Sequence, residues 1–347
     1  MLKFLLRRIG TMILTALCLT FIVFVLTNLE PNLEKLAKSE LGARVSDAEV
    51  ATWLAEHGHT RPLLVRYGEW LGVAPGWVGS DDGVSFGRCF ARGGDPAIAP
   101  RFCGILQGYW GLSSVFKAPA SEILARGLGL TGILMFWVML LMVPLSLLIG
   151  VLAGMREGSR TDRVLSTLSI ATTATPEYVS GVIFIVVFSS SMVGLKWFSG
   201  SAQTAMEDIT FNNFFLPVLT IALYGVGYIA RMTRASMTEV MTAQYIRTAR
   251  LKGVAFRDVV MRHALRNALI APFTVIMLQF PWLLNGVVIV ETLFNYKGFG
   301  WTLVSAAGNN DIDLLLGCSV VAVIVVLVTQ LISDIGYVYL NPRIRIS

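Results

Sequence analysis

The sequence predicts an all-α polytopic membrane protein with six transmembrane helices, and three observations carry that prediction. Hydrophobic residues make up 55% of the 347-residue chain and charged residues only 14%, with a mean hydropathy of +0.67, a balance unlike that of soluble domains. Apolar runs of about 20 residues recur, the length needed to cross roughly 30 Å of hydrocarbon at about 1.5 Å per residue. Lys and Arg gather in alternate inter-span segments, as they do in cytoplasmic loops. The net charge of +6 therefore follows the lipid bilayer and gives no ground for nucleic-acid binding.

Taken in order, MLKFLLRRIG sets Lys3, Arg7 and Arg8 before an apolar run over 9–29. That run is longer than a signal-peptide core and no A-x-A site follows it, so it is expected as a retained first span with the N-terminus inside. From 30 to 127 the chain is polar, nearly balanced in charge, and broken by Gly and Pro in GVAPGWVGSDDG and ARGGDPAIAP. An extracytoplasmic subdomain is expected here, with short helices over 47–56 and 63–71 and a capping box from Ser46 to Glu49. Cys89 and Cys103 would lie in an oxidising space, either as one disulfide across the Gly/Pro-rich stretch or as two free thiols. His57 and His59 form an H-x-H pair with no further ligand at a familiar spacing, so a solvated polar face is expected rather than a metal site.

The second span is expected over 128–154, ending at MREGSRTDR, whose Arg156, Arg160 and Arg163 mark the inside. The third, 165–193, contains TTATPEYVSG, where Pro176 removes a backbone donor and is expected to kink the helix. The fourth covers 214–230, the fifth 268–290 and the sixth 312–339, with 291–311 as an outer loop. The chain thus divides into 1–29, 30–127 and 128–347, the last holding spans two to six and an inner loop over 231–267. Arg343 and Arg345 in the terminal NPRIRIS place the C-terminus inside as well.

The sequence has no Walker A motif, no G-x-S-x-G and no dinucleotide fingerprint, so no catalytic, cofactor or metal residue is expected in this chain. Two intramembrane polar residues are candidates for lining a passage: Glu177, directly after Pro176, and Asn285 in the fifth span. The plainer alternatives are a wet structural carboxylate at an inner helix end and an interhelical hydrogen bond. The inner loop carries more information. It sets Arg231, Arg234, Arg247, Arg250, Lys252, Arg257, Arg262 and Arg266 against only Glu239 and Asp258. Tyr245, Arg247, Thr248, Ala249 and Lys252 fall on a short helix that Gly253 closes. Phe256 and Arg257 open a second helix, with Phe256, Val260 and Ala264 along one stripe. Two helices meeting at a glycine make a compact protrusion with a small-residue notch at Ala249 and Gly253, which a partner protein can grip. An anionic-lipid-binding loop accounts for the charge alone.

YIRTARLKG followed by RHALRNALIAP resembles the cytoplasmic loop of inner-membrane permease subunits of ABC importers, in the branch handling dipeptides, oligopeptides, nickel and opine-type solutes. MLKFLLRRIG, RPLLVRYGEWLG, TPEYVSG, VETLFNYKGFG and NPRIRI resemble the first-permease type of that branch. Laid on Gly253, the general ABC-importer loop pattern keeps Ala249, Gly253 and Leu265 and departs at Arg247, Thr248, His263 and Arg266. The segment 73–107 is longer than that branch usually has and is a candidate insertion. The resemblance implies a type I ABC importer permease fold in a bacterial inner membrane, multi-pass, with both termini cytoplasmic. It also implies a second homologous permease subunit, a pair of ATP-binding subunits that seat the 245–266 loop, and a periplasmic solute-binding protein. ATP and Mg would belong to those partners, and this chain would transmit work without making a covalent bond. Peptide is the first cargo implied, with nickel or an opine-like solute behind it. An ATP-independent secondary transporter or channel is the alternative class, for which the sequence offers no inverted repeat and few intramembrane charges.

Overall fold

The computed structural model describes residues 2–42, 44–81, 83–90, 93–190 and 195–340, without the side chains of 2–5, 81, 280–286 and 337–340. The terminal NPRIRI motif lies outside the described residues. Helix α1 (Leu2–Thr27) is followed by α2 (Glu30–Leu41), α3 (Asp47–Glu56) and α4 (Leu63–Leu71). A hairpin of β1 (Val78–Asp81) and β2 (Val84–Gly87) pairs antiparallel with Val78 opposite Gly87. There follow α5 (Ala120–Gly154), α6 (Arg160–Ala174), α7 (Glu177–Phe188), α8 (Phe211–Met241) and α9 (Gln244–Leu251). The chain ends with α10 (Phe256–Asp258), a π-helical turn (Val259–Ala264), α11 (Leu265–Ala268), α12 (Ile270–Leu293), α13 (Phe299–Gly308) and α14 (Ile312–Leu340).

Among the described residues, four helices are long and apolar enough to cross a membrane (those of α1, α5, α8 and α14), and five spans result if the bent pair of α6 and α7 counts as one. The expected fifth span coincides with α12, whose apolar described part runs over Ile270–Gln279. The third span differs from expectation, because its two halves are bent by 102° rather than kinked within one helix. Pro176 has no N–H to donate and its ring pushes the preceding residue out of the helical region. Thr175 accordingly sits at φ −92°, ψ 120°, closing α6, and Pro176 becomes the N-cap of α7.

The described residues form two compact units, one within 127–301 with 2–4 and 325–340, the other within 5–126 with 302–324. The first span therefore belongs with the subdomain over 30–127 rather than standing apart from it. Phe24 of α1 packs with Leu33, Trp70, Leu316 and Val320 in the core of that unit, and the Thr20 hydroxyl meets the Tyr67 hydroxyl at 2.9 Å. The Ser46 capping box forms as expected: Glu49 N–H donates to Ser46 Oγ at 3.3 Å, and Ser46 N–H donates to Glu49 Oε2 at 2.8 Å. His57 and His59 are half-buried rather than fully solvated. His57 stacks on Trp53 with ring centroids 4.0 Å apart, and His59 lies over the same ring at 5.8 Å. Cys89 and Cys103 are joined by a disulfide, with Cα atoms 5.5 Å apart.

In the larger unit α8 is the central helix, and most of its apolar length is buried. Phe214, Leu216, Ile221, Val226 and Ile229 from α8 meet Leu134, Val138 and Met142 of α5 and Val275, Ile276 and Val290 of α12. Gly150 and Gly154, four apart on α5, let that helix approach α8 closely. A Cβ at Gly150 would sit 2.3 Å from Thr233 Cβ, and one at Gly154 would sit 2.7 Å from the Arg234 carbonyl oxygen. The fourth span also runs longer than expected. It stays helical through Arg231 and Arg234 to Met241, so the segment expected as an inner loop over 231–267 begins as a helix.

Part of the expected outer loop over 291–311 is helical, as α13. Glu291 explains this. Its side chain is fully buried, takes a hydrogen bond from the Thr131 hydroxyl, and accepts the Trp301 N–H at 3.0 Å. Thr131 Oγ1 in turn accepts the Phe299 N–H at 2.8 Å. Two of the N–H groups that a helix start leaves without partners are thereby satisfied.

Candidate functional site

The C-terminal end of α8 and the chain from 244 to 268 form one helical elbow. Its anchoring begins with Asp162 in the first turn of α6, which sequence reasoning did not single out. Asp162 receives Arg234 Nη2 at 2.8 Å and Arg234 Nε, the Gly158 N–H at 2.9 Å and the Ser166 hydroxyl at 3.0 Å. Ser159 caps the same helix by accepting the Asp162 N–H at 3.1 Å. A signal for this was present, since S-R-T-D is a capping pattern followed by helix formers.

From Met241 the chain turns into α9, whose apolar residues fall at the spacing of one helix face. Ile246 and Ala249 are buried against Met237, Met241, Val259, Val260, Ala264 and Ala268. Gly253 ends the helix with φ +76°, a conformation that costs an L-residue side chain energy. Its N–H donates to the Arg250 carbonyl at 3.0 Å and the Val254 N–H to the Ala249 carbonyl at 3.2 Å, the paired bonds of a Schellman cap. The chain then reverses into α10, the π-turn and α11. Ser236 Oγ donates to the Ala268 carbonyl at 2.8 Å, and Asn267 Nδ2 donates to the Tyr245 hydroxyl at 2.9 Å, so both ends of the reversal are tied.

The small-residue notch is not formed as expected. Ala249 is on the inner side of α9, where its methyl group fills the elbow core, and only Gly253 reaches the surface. The outward face is larger and mixed. It carries Tyr245, Arg247, Thr248, Lys252, Phe256 and Arg257, all exposed, with Leu251 at 81% exposure and Met261 at 57%. Phe256 is held between two guanidinium groups, Arg156 at 5.4 Å and Arg250 at 6.0 Å from its ring centre. Arg262 is paired with Asp258 at 3.5 Å on the exposed side, an i,i+4 pair worth a few tenths of a kcal/mol at most. Exposed apolar tips ringed by unspent positive charge suit a protein partner with an acidic rim and an apolar groove.

The two passage candidates are elsewhere. Glu177 is half-buried in the first turn of α7, where an acid favours the helix N-terminus. Asn285 lies in α12, and its side chain is outside the described residues. Among the described residues no cluster of three or more His, Cys, Asp or Glu is placed to hold a metal.

Residues 146–346 match the protein family described as binding-protein-dependent transport system inner membrane component. A putative peptide permease protein of Brucella ovis is 28% identical over 353 aligned positions that cover 100% of both chains. The oligopeptide transport system permease protein AppB of Bacillus subtilis is 30% identical, with 87% of each chain covered. The glutathione transport system permease protein GsiC of Salmonella choleraesuis is 34% identical over 70% of this chain and 76% of that one.

Proposed function

The chain belongs to the family of binding-protein-dependent transport system inner membrane components, and we propose that it forms half of the pore of an ATP-driven peptide importer. A second, homologous permease subunit completes that pore. Two ATP-binding subunits seat the 244–268 elbow on the cytoplasmic side, where both termini also lie, and a periplasmic solute-binding protein delivers the cargo. Peptide is the cargo class named for two of the relatives above, and glutathione, itself a short peptide, for the third.

The observation that carries this proposal is the construction of the elbow. Its two arms are fixed to each other through Ile246, Ala249, Val259 and Val260 and to α8 through Met237 and Met241. Force applied to the exposed tips at Leu251 and Phe256 therefore moves α8 as a body instead of being absorbed in a flexible loop. The Asp162–Arg234 pair passes the same displacement to α6. Nucleotide-driven closure of the ATP-binding subunits would tilt these helices and switch the pore between inward and outward access. The chain itself binds no nucleotide and makes no covalent bond in this scheme.

Purification from the native membrane, followed by reconstitution into liposomes, tests the proposal. ATP-binding subunits are expected to co-purify, and peptide uptake is expected to require ATP. A preparation free of ATP-binding subunits that moves peptide without nucleotide would overturn it.

A further inference from the structure

The unit of 5–126 and 302–324 holds a half-open cavity of about 230 Å³, apart from the elbow described above. Asn28 at the end of α1, His59, Arg66 and Glu69 of α4, Arg88 from the 73–107 segment and Asp313 of α14 all line it.

Most of the charge in this wall is already spent. Arg61 grips both oxygens of Glu69, with Nη2 at 2.7 Å from Oε2. Asp311 accepts the Ser113 hydroxyl and the N–H groups of Val115 and Leu314. Asp313 accepts the Leu112 N–H at 3.4 Å and interacts electrostatically with Arg88. Arg88 also donates from Nε to the Cys103 carbonyl at 3.2 Å, which the disulfide at Cys89 holds in place.

Arg66 is different. It is only 9% exposed, its hydrogen-bond partners are neutral, and Glu69, already gripped by Arg61, acts on it only electrostatically. Nη2 donates to Asn28 Oδ1 and lies 3.3 Å from His59 Nδ1, and the guanidinium sits 6.0 Å from the centre of the Phe24 ring. Among the described residues no carboxylate pairs with it. Burial pulls its pKa below the ordinary arginine value, and burial together with Arg66 pushes His59 down to about 3, so His59 adds no second charge. A guanidinium offers five N–H donors in a planar fork, and a buried charge with no carboxylate in direct contact is costly.

We propose that this cavity is a binding site for a small carboxylate, whose oxygens take N–H groups of Arg66, a residue of its wall. A planar, bidentate fit is what guanidinium offers a carboxylate. The nearby acids Glu69, Asp311 and Asp313 disfavour a dianion such as phosphate, which selects the singly charged group. The volume of about 230 Å³ has room for roughly seven waters at about 30 Å³ each, or for one solute of amino-acid size. Leu36, Trp70 and Trp77 supply apolar wall for the rest of such a solute. The inference does not depend on the transport scheme.

The test uses the full-length protein in lipid nanodiscs and the matched probes N-acetylalanine and N-acetylalaninamide, followed by tryptophan fluorescence and calorimetry. N-acetylalanine is expected to bind and the amide at least tenfold more weakly, about 1.4 kcal/mol. Arg66→Gln is expected to remove acid binding. Because that change also breaks the bond to Asn28, Asn28→Asp serves as the second variant. It supplies Arg66 with a carboxylate from within the fold, so it is expected to raise Tm while weakening the acid at least tenfold. The proposal is overturned by no saturable binding of N-acetylalanine up to about 10 mM, by equal affinity for acid and amide, or by unchanged acid affinity in Asn28→Asp.

Discussion

Asp162 and Arg234 form a pair in which the carboxylate is 3% exposed and the guanidinium 31%. Removing one partner of a fully buried pair costs about 3–5 kcal/mol; with Arg234 partly solvated, Asp162→Asn is expected to cost about 2 kcal/mol. A double-mutant cycle with Arg234→Gln, read by thermal unfolding, should give a coupling above about 1 kcal/mol, and additive losses would show the contact to be incidental. His59 gives a pH effect with a definite sign. Burial first, then Arg66, His57 and Arg61, hold its folded pKa at about 3, while the unfolded chain takes up that proton near 6.5. Between those values the unfolded state binds more protons, so stability falls as pH drops from about 6.5 towards about 3, by up to about 1.4 kcal/mol per unit. Above about 6.5 both states are neutral and the contribution vanishes. Hydrogen exchange over 47–71 should therefore accelerate from pH 7 to pH 5 beyond its intrinsic pH dependence, and His59→Phe should abolish that slope. An identical slope in the variant would assign it to other groups.

At the scale of elements, the elbow depends on the left-handed residue that ends α9. Gly253→Ala is expected to cost about 1 kcal/mol, because no Cβ clash is present and only the φ of +76° is unfavourable. Gly253→Asn tolerates that conformation better. ATP-driven uptake should thus fall in the order glycine, asparagine, alanine, and uptake independent of the residue there would detach the cap from coupling. This stop was legible, as was the capping box of α3, because both are local chemistry written in two or three residues. The bend at Pro176 was legible only as a disturbance. Proline dictates a lost donor and an extended Thr175, but the 102° angle is set by what the two halves pack against. The inward position of Ala249 was hidden for the same reason. Its spacing with Ile246 placed both on one face, and nothing local said whether that face meets solvent or the π-turn at Val259 and Val260. Helix α13 was missed because its cap, Glu291, is eight residues before its first residue. Glu291→Ala is expected to cost about 2 kcal/mol through unsatisfied Trp301 and Thr131 groups, and a Tm unchanged from wild type would refute that role.

For the whole molecule, membership of the transport family rests on the spread of similarity over the chain, while the mechanical role of the elbow rests on its packing. Hydrophobic runs and the Lys/Arg distribution made the membrane architecture readable, since the bilayer imposes length and charge rules that few other environments impose. The Arg66 cavity was not readable, because it draws on five separated segments, and a sequence does not announce which charges fold away from any carboxylate contact. Site-directed cross-linking tests the central claim most directly. With Leu251→Cys, at 81% exposure on the tip of the elbow, a short bifunctional reagent should join this chain to an ATP-binding subunit in the active complex, and Val84→Cys on the outer hairpin should not react with it. Absence of that cross-link at Leu251 in a complex that still takes up peptide would contradict the account.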